Sequence, residues 1–502
     1  MILHSAVRLA FIVFLVAGCA NTPSPVPVAS SPTMPAGIAS AAPSASPQPS
    51  SPASNPVPTG SSASGWPFSG VASEPVFGPD GTVYLLTGAG DGQDEGEHSL
   101  VALDAAGHVR AGWPIDEREG TDFGLPAIGP GGSVYVEECG TGKFDCRLHR
   151  FQSDGTEPRG WPFEVPRSMA CPVGDPCVSR LVIGQDTAYL VSWHEAKHQA
   201  QLLAIDATGR VKPGWPVALD HSYGWFSAPQ LGSDGTIFID TKPGADDGPS
   251  ALWALAPDGS RRQGWPISMP GWGAFQPGPN GTIVTVSYEP LLDPSQGGLC
   301  SDASRTAFSV IGPDGRTAPG WPRGSKGYAS GPAVDSDGTI YYLSATGKVY
   351  AHDLAGEVKP GWPVDAGILP HCAFKGPYRG PDGTVYVLGS EVLAMLRDGT
   401  EWRYRPTDEL AWPCSDLDCP AQPVAPAFGS DRVVYIAVHR EDSVEIVALD
   451  SGGQPMHGWP NRLPRDPTDP AMPSLSVSPD GRLYVRVGTT VVALDRDGHV
   501  SD

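Results

Sequence analysis

The heptapeptide VKPGWPV occurs twice in the sequence, at Val211–Val217 and at Val358–Val364. Its core, Gly-Trp-Pro, occurs eight times, at intervals of 41 to 56 residues apart from a gap of 97 residues before the last copy. Such a period is typical of repeat folds, in which each unit buries its apolar surface against its neighbours. The long gap indicates one copy in which the motif has degenerated.

Two further landmarks share this period. The first is a Pro-Asp-Gly-Thr type of turn followed by an alternating apolar segment, as in GPDGTVYLL at 78–86. The second is an apolar segment that runs into another tight turn, as in LLAIDATG at 202–209. Asp-Gly supplies the positive φ of a tight turn, and β-branched and aromatic residues favour strands beside it. Nine copies of each landmark are present, so each unit is predicted to be a meander of four strands, A to D.

These units predict an all-β fold, a single closed β-propeller of four-stranded blades. Helical periodicity is nearly absent. Dividing residues 65–502 by nine gives about 49 residues per unit, which matches the spacings, whereas the alternative of eight blades needs about 55. Because Gly65-Trp66-Pro67 has no strand C before it, this motif is predicted to complete the last blade and close the ring.

The Gly-Trp-Pro motif is predicted to join neighbouring blades. Proline is tolerated on the outermost strand, where it removes a donor that could recruit another chain. A large flat indole can fill the wedge between two sheets, and glycine allows a backbone to approach it. In the seventh unit Arg405 stands where the tryptophan is expected, with Trp402 or Tyr404 as its substitute. The predicted docking residues are Trp66, Trp113, Trp161, Trp215, Trp265, Trp321, Trp362 and Trp459.

The first 18 residues have the layout of a secretory signal peptide. Arg8 precedes an apolar run, residues 9–16, that is too short to span a bilayer. The segment Leu15–Cys19 resembles the bacterial lipobox, which predicts a lipoprotein signal peptide at 1–18 and a lipid on Cys19. An ordinary signal peptide with an incidental cysteine is the alternative.

Residues 19–64 differ in composition from the rest of the chain. Pro, Ser and Ala dominate, and no charged residue occurs between Ala20 and Ser64. Such a segment cannot bury enough surface to offset its ordering entropy, so 19–64 is predicted to be a disordered tether before a propeller at 65–502. The expected location is extracytoplasmic, on a bacterial membrane held by the lipid.

The net charge of −22 lies almost entirely in the propeller. A body this acidic is repelled by nucleic acid and by anionic lipid surfaces, which excludes nucleic acid as a partner. The charge also serves solubility, which is the simpler explanation.

Function is expected on the face that carries the B–C and D–A loops, because these vary in length whereas the A–B and C–D turns are uniform. All eight cysteines after Cys19 are assigned to these loops, and their even number suggests disulfides; a metal site is the alternative. The candidate pairs are Cys139–Cys146, Cys171–Cys177 and Cys414–Cys419, with Cys300–Cys372 left by elimination.

Aromatic residues recur in the D–A loops shortly before strand A, near the predicted mouth of the central channel. As a platform they would suit a sugar, a flat ligand or a peptide, and packing within the loops is the alternative. The candidate platform consists of Phe123, Tyr223, Trp225, Phe226, Trp272, Phe275, Tyr328 and Phe374.

Two patterns resemble metal motifs. His194–His198 reads H-E-x-x-H, but a zincin needs both His on one helical face, and a loop of about ten residues between strands leaves no room for a helix. The acidic loop 88–99, with Asp91, Asp94, Glu95 and Glu97, could ligate calcium but lacks EF-hand spacing, so a solvated loop is favoured. No metal ligand or catalytic residue is predicted.

The segments AIDATGRVKPGW (204–215) and ALDAAGHVRAGW (102–113) resemble the quinoprotein-like (PQQ-type) propeller repeat over residues 65–502. That resemblance implies a family that includes pyrroloquinoline-quinone dehydrogenases, which bind calcium, and non-enzymatic scaffolds. The dehydrogenases carry two adjacent cysteines, which this chain lacks, so neither cofactor is predicted. The expected function is a monomeric, non-catalytic module that binds a protein, peptide or glycan; the alternative is a quinoprotein-type dehydrogenase or other enzyme that uses the channel mouth.

Overall fold

The protein is a nine-bladed β-propeller within a compact unit, Ser51–Asp502. Each blade is an antiparallel meander in which strand A is innermost and strand D outermost, as the repeat predicts. The computed structural model describes residues 55–56, 65–88, 98–140, 146–166, 181–194, 199–219, 224–243, 250–269, 272–290, 304–367, 376–408, 410–412, 422–466 and 471–501.

Each strand is named by the number of its blade and its letter. The A strands are Val76–Phe77, Ala127–Ile128, Leu181–Gly184, Gln230–Leu231, Trp272–Pro277, Ser330–Val334, Tyr378–Arg379, Ala427–Phe428 and Ser474–Val477. The B strands are Val83–Thr87, Val134–Gly140, Thr187–His194, Ile237–Pro243, Ile283–Pro290, Ile340–Leu343, Val385–Leu388, Val434–His439 and Leu483–Val487. The C strands are Ser99–Leu103, Cys146–Phe151, Gln199–Asp206, Ser250–Leu255, Ser304–Ile311, Lys348–His352, Val392–Met395, Ser443–Leu449 and Thr490–Leu494. The D strands are Ile115–Asp116, Phe163–Val165, Val217–Ala218, Ile267–Met269, Arg323–Lys326, Val364–Asp365, Glu401–Tyr404, Asn461–Pro464 and, for blade 9, Phe68–Ser69.

The two ends of the described chain close the ring in one shared sheet. Strand 9D, which follows the first Gly-Trp-Pro motif, pairs antiparallel with strand 9C through Phe68↔Val491 and Ser69↔Thr490. The prediction that the N-terminal motif completes the last blade is therefore confirmed. Nine blades, rather than the alternative of eight, accommodate all the repeats.

The docking tryptophans lie between blades, as predicted. All eight are buried. Trp215, which precedes strand 3D, meets Tyr189 of the same blade edge-on at 5.6 Å and donates its indole N–H to the Pro257 carbonyl of blade 4 at 3.3 Å. Six others donate in the same way, over 2.9–3.2 Å, to the C–D turn of the following blade; their acceptors are Ala105, Ser153, Ala207, Pro313, Leu354 and Arg496.

The glycine of the motif allows the close approach of two backbones. Gly214 has a φ of +88°, and a Cβ at this position would lie 2.1 Å from the carbonyl oxygen of Asp258 in the next blade. Only glycine meets both demands, because a side chain would be strained at this φ and would also collide with backbone. The motif thus joins neighbouring blades, and the contact needs both its glycine and its tryptophan.

In blade 7 the tryptophan has moved along the chain. Trp402 lies in strand 7D, where its ring meets Tyr386 of the same blade at 5.9 Å. On its other side it packs so tightly against the turn glycine of blade 8, Gly453, that a Cβ there would lie 2.4 Å from the ring. Trp402 therefore substitutes for the missing docking residue, as predicted.

Some pairings lie outside the four-stranded scheme. Thr121–Phe123 pairs with strand 2B and Gly224–Phe226 with strand 4B, and Ala411–Trp412 pairs with Gln422–Pro423. Asn55–Pro56, from the segment assigned to the tether, runs parallel to strand 8D. A short 3₁₀ turn, Pro279–Gly281, lies between strands 5A and 5B. Among the described residues, no helix has the length and apolar character needed to cross a membrane.

Candidate functional site

The propeller has two faces of different character. The A–B and C–D turns form one end of every blade, which we call the turn face, and the B–C and D–A connections form the other, which we call the loop face. On the turn face polar groups are used within the turns. In the C–D turn of blade 3, for example, the Asp206 carboxylate accepts the backbone N–H groups of Thr208 and Arg210 at 2.8 and 3.1 Å. The turn face is therefore engaged in holding its own backbone.

Three aromatic residues lie at the loop-face end of blade 5. Trp272, at the start of strand 5A, is the cross-strand partner of Tyr288, near the end of strand 5B. The Tyr288 ring is stacked on that of Tyr328, with centroids 5.2 Å apart and planes 11° apart. Burial raises the pKa of both tyrosines, so they remain neutral at physiological pH. Tyr288 was not recognised from the sequence, because it ends a strand rather than lying in a D–A loop.

The other members of the candidate platform are distributed differently. Phe123 and Phe275 are each only 8% exposed. Phe123 belongs to the apolar core between blades 1 and 2 and Phe275 to that between blades 4 and 5, so these two aromatic residues serve packing. Trp225 lies in the strand Gly224–Phe226, opposite Lys242 of strand 4B. Two further candidates, Tyr223 and Phe374, lie outside the described residues.

A disulfide joins Cys139 and Cys146, as predicted. The assignment of these cysteines to a loop is wrong: Cys139 lies in strand 2B and Cys146 in strand 2C, where they face each other as cross-strand partners. The ladder continues through Glu137 and Glu138 to the cysteines, beyond the apolar residues from which strand 2B was predicted. The other candidate pairs, Cys171–Cys177, Cys300–Cys372 and Cys414–Cys419, lie outside the described residues.

The H-E-x-x-H pattern begins within a strand. His194 is the last residue of strand 3B and pairs with Gln199, the first residue of strand 3C. The connection is therefore four residues long rather than about ten, because the two strands are longer than predicted. His194 thus lies in a strand, whereas the zincin pattern needs both histidines on one helical face; His198 lies outside the described residues. The acidic residues Asp91, Asp94, Glu95 and Glu97 lie outside the described residues.

A cluster of metal-ligand type that the sequence did not reveal lies on the loop face between blades 1 and 2. It comprises His98, just before strand 1C, Glu117, just after strand 1D, and Asp122 in the strand Thr121–Phe123. His98 Nδ1 lies 3.5 Å from a Glu117 oxygen and 4.0 Å from an Asp122 oxygen. Burial raises the pKa of Glu117, whose side chain is 3% exposed. No spacing signal marks these residues, because three different elements bring them together.

A second buried acid lies beside this cluster. Burial alone would raise the pKa of Glu138, but hydrogen bonds from Arg118 and Thr121, together with His149, outweigh burial and lower it. Arg118 Nε donates to the Glu138 carboxylate at 2.7 Å and its backbone N–H at 2.8 Å. Glu138 is thus fully engaged in an ion pair that fixes the segment between blades 1 and 2.

The architecture places the chain in the class of β-propeller proteins. No protein-family model matches the chain, and no curated protein matches it. Solved structures with a similar fold include BamB from Moraxella catarrhalis, with 15% sequence identity over 84% of this chain and 95% of that chain and a TM-score of 0.40. They also include a europium-containing methanol dehydrogenase, with 13% identity, 85% of each chain covered and a TM-score of 0.36. A streptogramin B lyase has 14% identity, with 61% of this chain and 92% of that chain covered and a TM-score of 0.32.

Proposed function

We propose that this protein is a non-catalytic binding module that holds a protein, peptide or glycan on its loop face. The observation that carries the proposal is the stacked pair Tyr288 and Tyr328 at the loop-face end of blade 5, where Trp272 is the cross-strand partner of Tyr288. Tyrosine and tryptophan offer large, rigid contact areas at a low cost in conformational entropy. On the turn face, by contrast, polar groups such as the Asp206 carboxylate are engaged in holding the turns.

The experiment that tests this proposal measures binding of the purified protein to arrays of glycans and of peptides. We expect a ligand whose affinity falls at least about tenfold, equivalent to about 1.4 kcal/mol, in Trp272→Ala and in Tyr328→Ala. Trp225→Ala tests whether the platform extends to blade 4. A matched control is Tyr378→Ala, which removes another half-buried tyrosine, in strand 7A and next to the turn face; it should leave the affinity unchanged.

The competing class is a quinoprotein-type dehydrogenase. Incubating the protein with pyrroloquinoline quinone and calcium distinguishes the two classes. A bound chromophore together with reduction of an artificial electron-acceptor dye would overturn the binding proposal. Equal affinities in Trp272→Ala, Tyr328→Ala and the control would instead show that any ligand binds elsewhere.

We further propose that the module is extracytoplasmic and held to a bacterial membrane by a lipid on Cys19. The Cys139–Cys146 disulfide supports an oxidising compartment. In a bacterial host, the wild-type protein should sediment with membranes, and Cys19→Ser should release it into the soluble extract. Retention of the variant with membranes would contradict the lipid anchor without affecting the proposed binding face.

A further inference from the structure

The cluster of His98, Glu117 and Asp122 draws its ligands from two blades. His98 and Glu117 lie at the loop-face ends of strands 1C and 1D, where the backbone N–H of Glu117 donates to the carbonyl oxygen of His98. Asp122 lies in the short strand Thr121–Phe123, which is paired with strand 2B. An ion bound by all three would therefore join neighbouring blades on the face that lacks docking tryptophans.

The spacing of the three donor atoms suits a small divalent cation. All three lie within 4.8 Å of one another, and His98 Nδ1 is 3.5 and 4.0 Å from the two carboxylate oxygens. Three donors at the usual 2.0–2.2 Å from a tetrahedral Zn²⁺ would be separated by about 3.3–3.6 Å. Compared with that separation, the His98 distances are at most about 0.7 Å too long and the two carboxylate oxygens at most about 1.5 Å too far apart, differences that rotation of the half-exposed Asp122 side chain can close.

The ring nitrogen that points into the cluster is buried without satisfaction. His98 Nδ1 is inaccessible to solvent and has no hydrogen-bond partner among the residues that the structure describes. Leaving a buried nitrogen without a hydrogen bond costs free energy, which either a bound metal ion or protonation and pairing with the Glu117 carboxylate at 3.5 Å would relieve.

The buried carboxylate is already oriented. Glu117 accepts the backbone N–H of His98 at 2.7 Å through one oxygen and that of Phe123 at 3.1 Å through the other. Each oxygen keeps a second lone pair, and hydrogen bonds of this kind hold metal-ligating carboxylates in place. Arg118, the basic residue next in the chain, is bound to Glu138 instead.

We propose that His98, Glu117 and Asp122 form a binding site for a divalent transition-metal ion, with Zn²⁺ the best match. One imidazole and two carboxylates are ligands that Zn²⁺ accepts, whereas a site dedicated to Ca²⁺ would be built from oxygen alone. Three protein ligands leave a coordination position for water or for a group on a bound partner. The side chains of His98 and Asp122 are 28% and 54% exposed, which gives that position access from solvent.

The test is a calorimetric titration of the full chain with Zn²⁺ after treatment with EDTA. One ion per chain is expected at this site. Asp122→Asn and His98→Gln should each weaken binding by at least about 10–100-fold, the loss that removal of even an outer-shell partner causes. Bound Zn²⁺ should also raise the unfolding temperature of the wild type, because ligands of the folded state stabilise it, and Asp122→Asn should abolish this rise. Asp122 is suited to the test because its side chain is 54% exposed, so the amide should leave the fold intact.

Two control variants keep the proposal falsifiable. His108→Gln removes an exposed histidine that lies 3.7 Å from an Asp104 oxygen after the other end of strand 1C, and it should bind Zn²⁺ as the wild type does. A variant with Asp91, Asp94, Glu95 and Glu97 all changed to their amides should likewise retain the site. Zn²⁺ affinity unchanged in Asp122→Asn, or lost only in the amide variant, would overturn the proposal.

Discussion

The turn face and the loop face are built from the same nine repeats, yet they have diverged to different degrees. On the turn face eight of the nine blades repeat the packing of the Gly-Trp-Pro motif against the next C–D turn, as seen for Gly214 and Trp215, and blade 7 uses Trp402 instead. On the loop face the blades differ: blade 2 has a disulfide, blades 2 and 4 have an added strand pairing, and blade 5 ends in stacked tyrosines. The repeat is thus preserved on the turn face, where neighbouring blades dock through the tryptophans. Features of single blades occur on the loop face, where this contact is absent.

The largest effect is expected from removing one turn-face contact. Trp215→Ala should lower the free energy of unfolding by about 3–5 kcal/mol, because it leaves a cavity between blades 3 and 4. Denaturant unfolding measures this loss. As a control, Val211→Ala, in the same connection and 37% exposed, should change the free energy by no more than about 0.5 kcal/mol. Similar losses in the two variants would contradict the role given to the tryptophan.

An intermediate effect is expected on the loop face. Cys139→Ser combined with Cys146→Ser removes a cross-link between residues seven positions apart. For a loop of this length, the free energy of unfolding should fall by about 2–3 kcal/mol. In a reducing agent the wild type loses the same cross-link, so the difference between the two proteins should nearly vanish. A difference of the same size under both conditions would assign the effect to packing of the two side chains.

The smallest effect concerns a turn-face ion pair. Burial alone would raise the pKa of Asp337, but hydrogen bonds from Thr339 and the Lys359 ammonium group at 3.2 Å outweigh burial and lower it to about 2. Because the folded-state pKa lies below the ordinary value of 3.8, this carboxylate stabilises the fold above about pH 4 and loses its contribution as the pH falls towards 2. Asp337→Asn should therefore cost less than about 1 kcal/mol at pH 7.

Urea unfolding of Asp337→Asn and of the wild type at pH 7 and at pH 2 tests this ion pair. At pH 2 the difference between the two proteins should shrink towards zero, and Lys359→Gln should behave in the same way. A difference that persists at pH 2 would show that the amide disturbs the turn itself and that charge is not the cause.

Most of the turn face could be predicted from the sequence because its demands are local. Asp-Gly fixes a turn, and a tryptophan six residues after the turn glycine identifies the contact with the next blade. Even the irregular blade 7 kept a recognisable substitute in Trp402. The four-stranded unit, the number of blades and the closure by Phe68–Ser69 all follow from this regularity.

The loop face could be predicted only in part. Its strands extend beyond the turn signals, which placed Cys139 and His194 in loops although both lie in strands. The cluster of His98, Glu117 and Asp122 forms only where blade 1 packs against blade 2. No sequence motif identifies the residues that meet at this contact. Phe275 was predicted to belong to a ligand platform, but it is buried in the core. The sequence could not separate the two roles, because aromatic residues occur in both.

The pairing of Phe68–Ser69 with Thr490–Val491 has a consequence for biosynthesis. Ser69 and Thr490 are 421 positions apart, so strand 9D must wait for strand 9C to be synthesised before it can pair. Bringing two such distant segments together costs about 5 kcal/mol in chain entropy beyond a constant. A polypeptide truncated before Thr490 therefore cannot form the sheet that closes the ring, and its strand 9D is left without a partner.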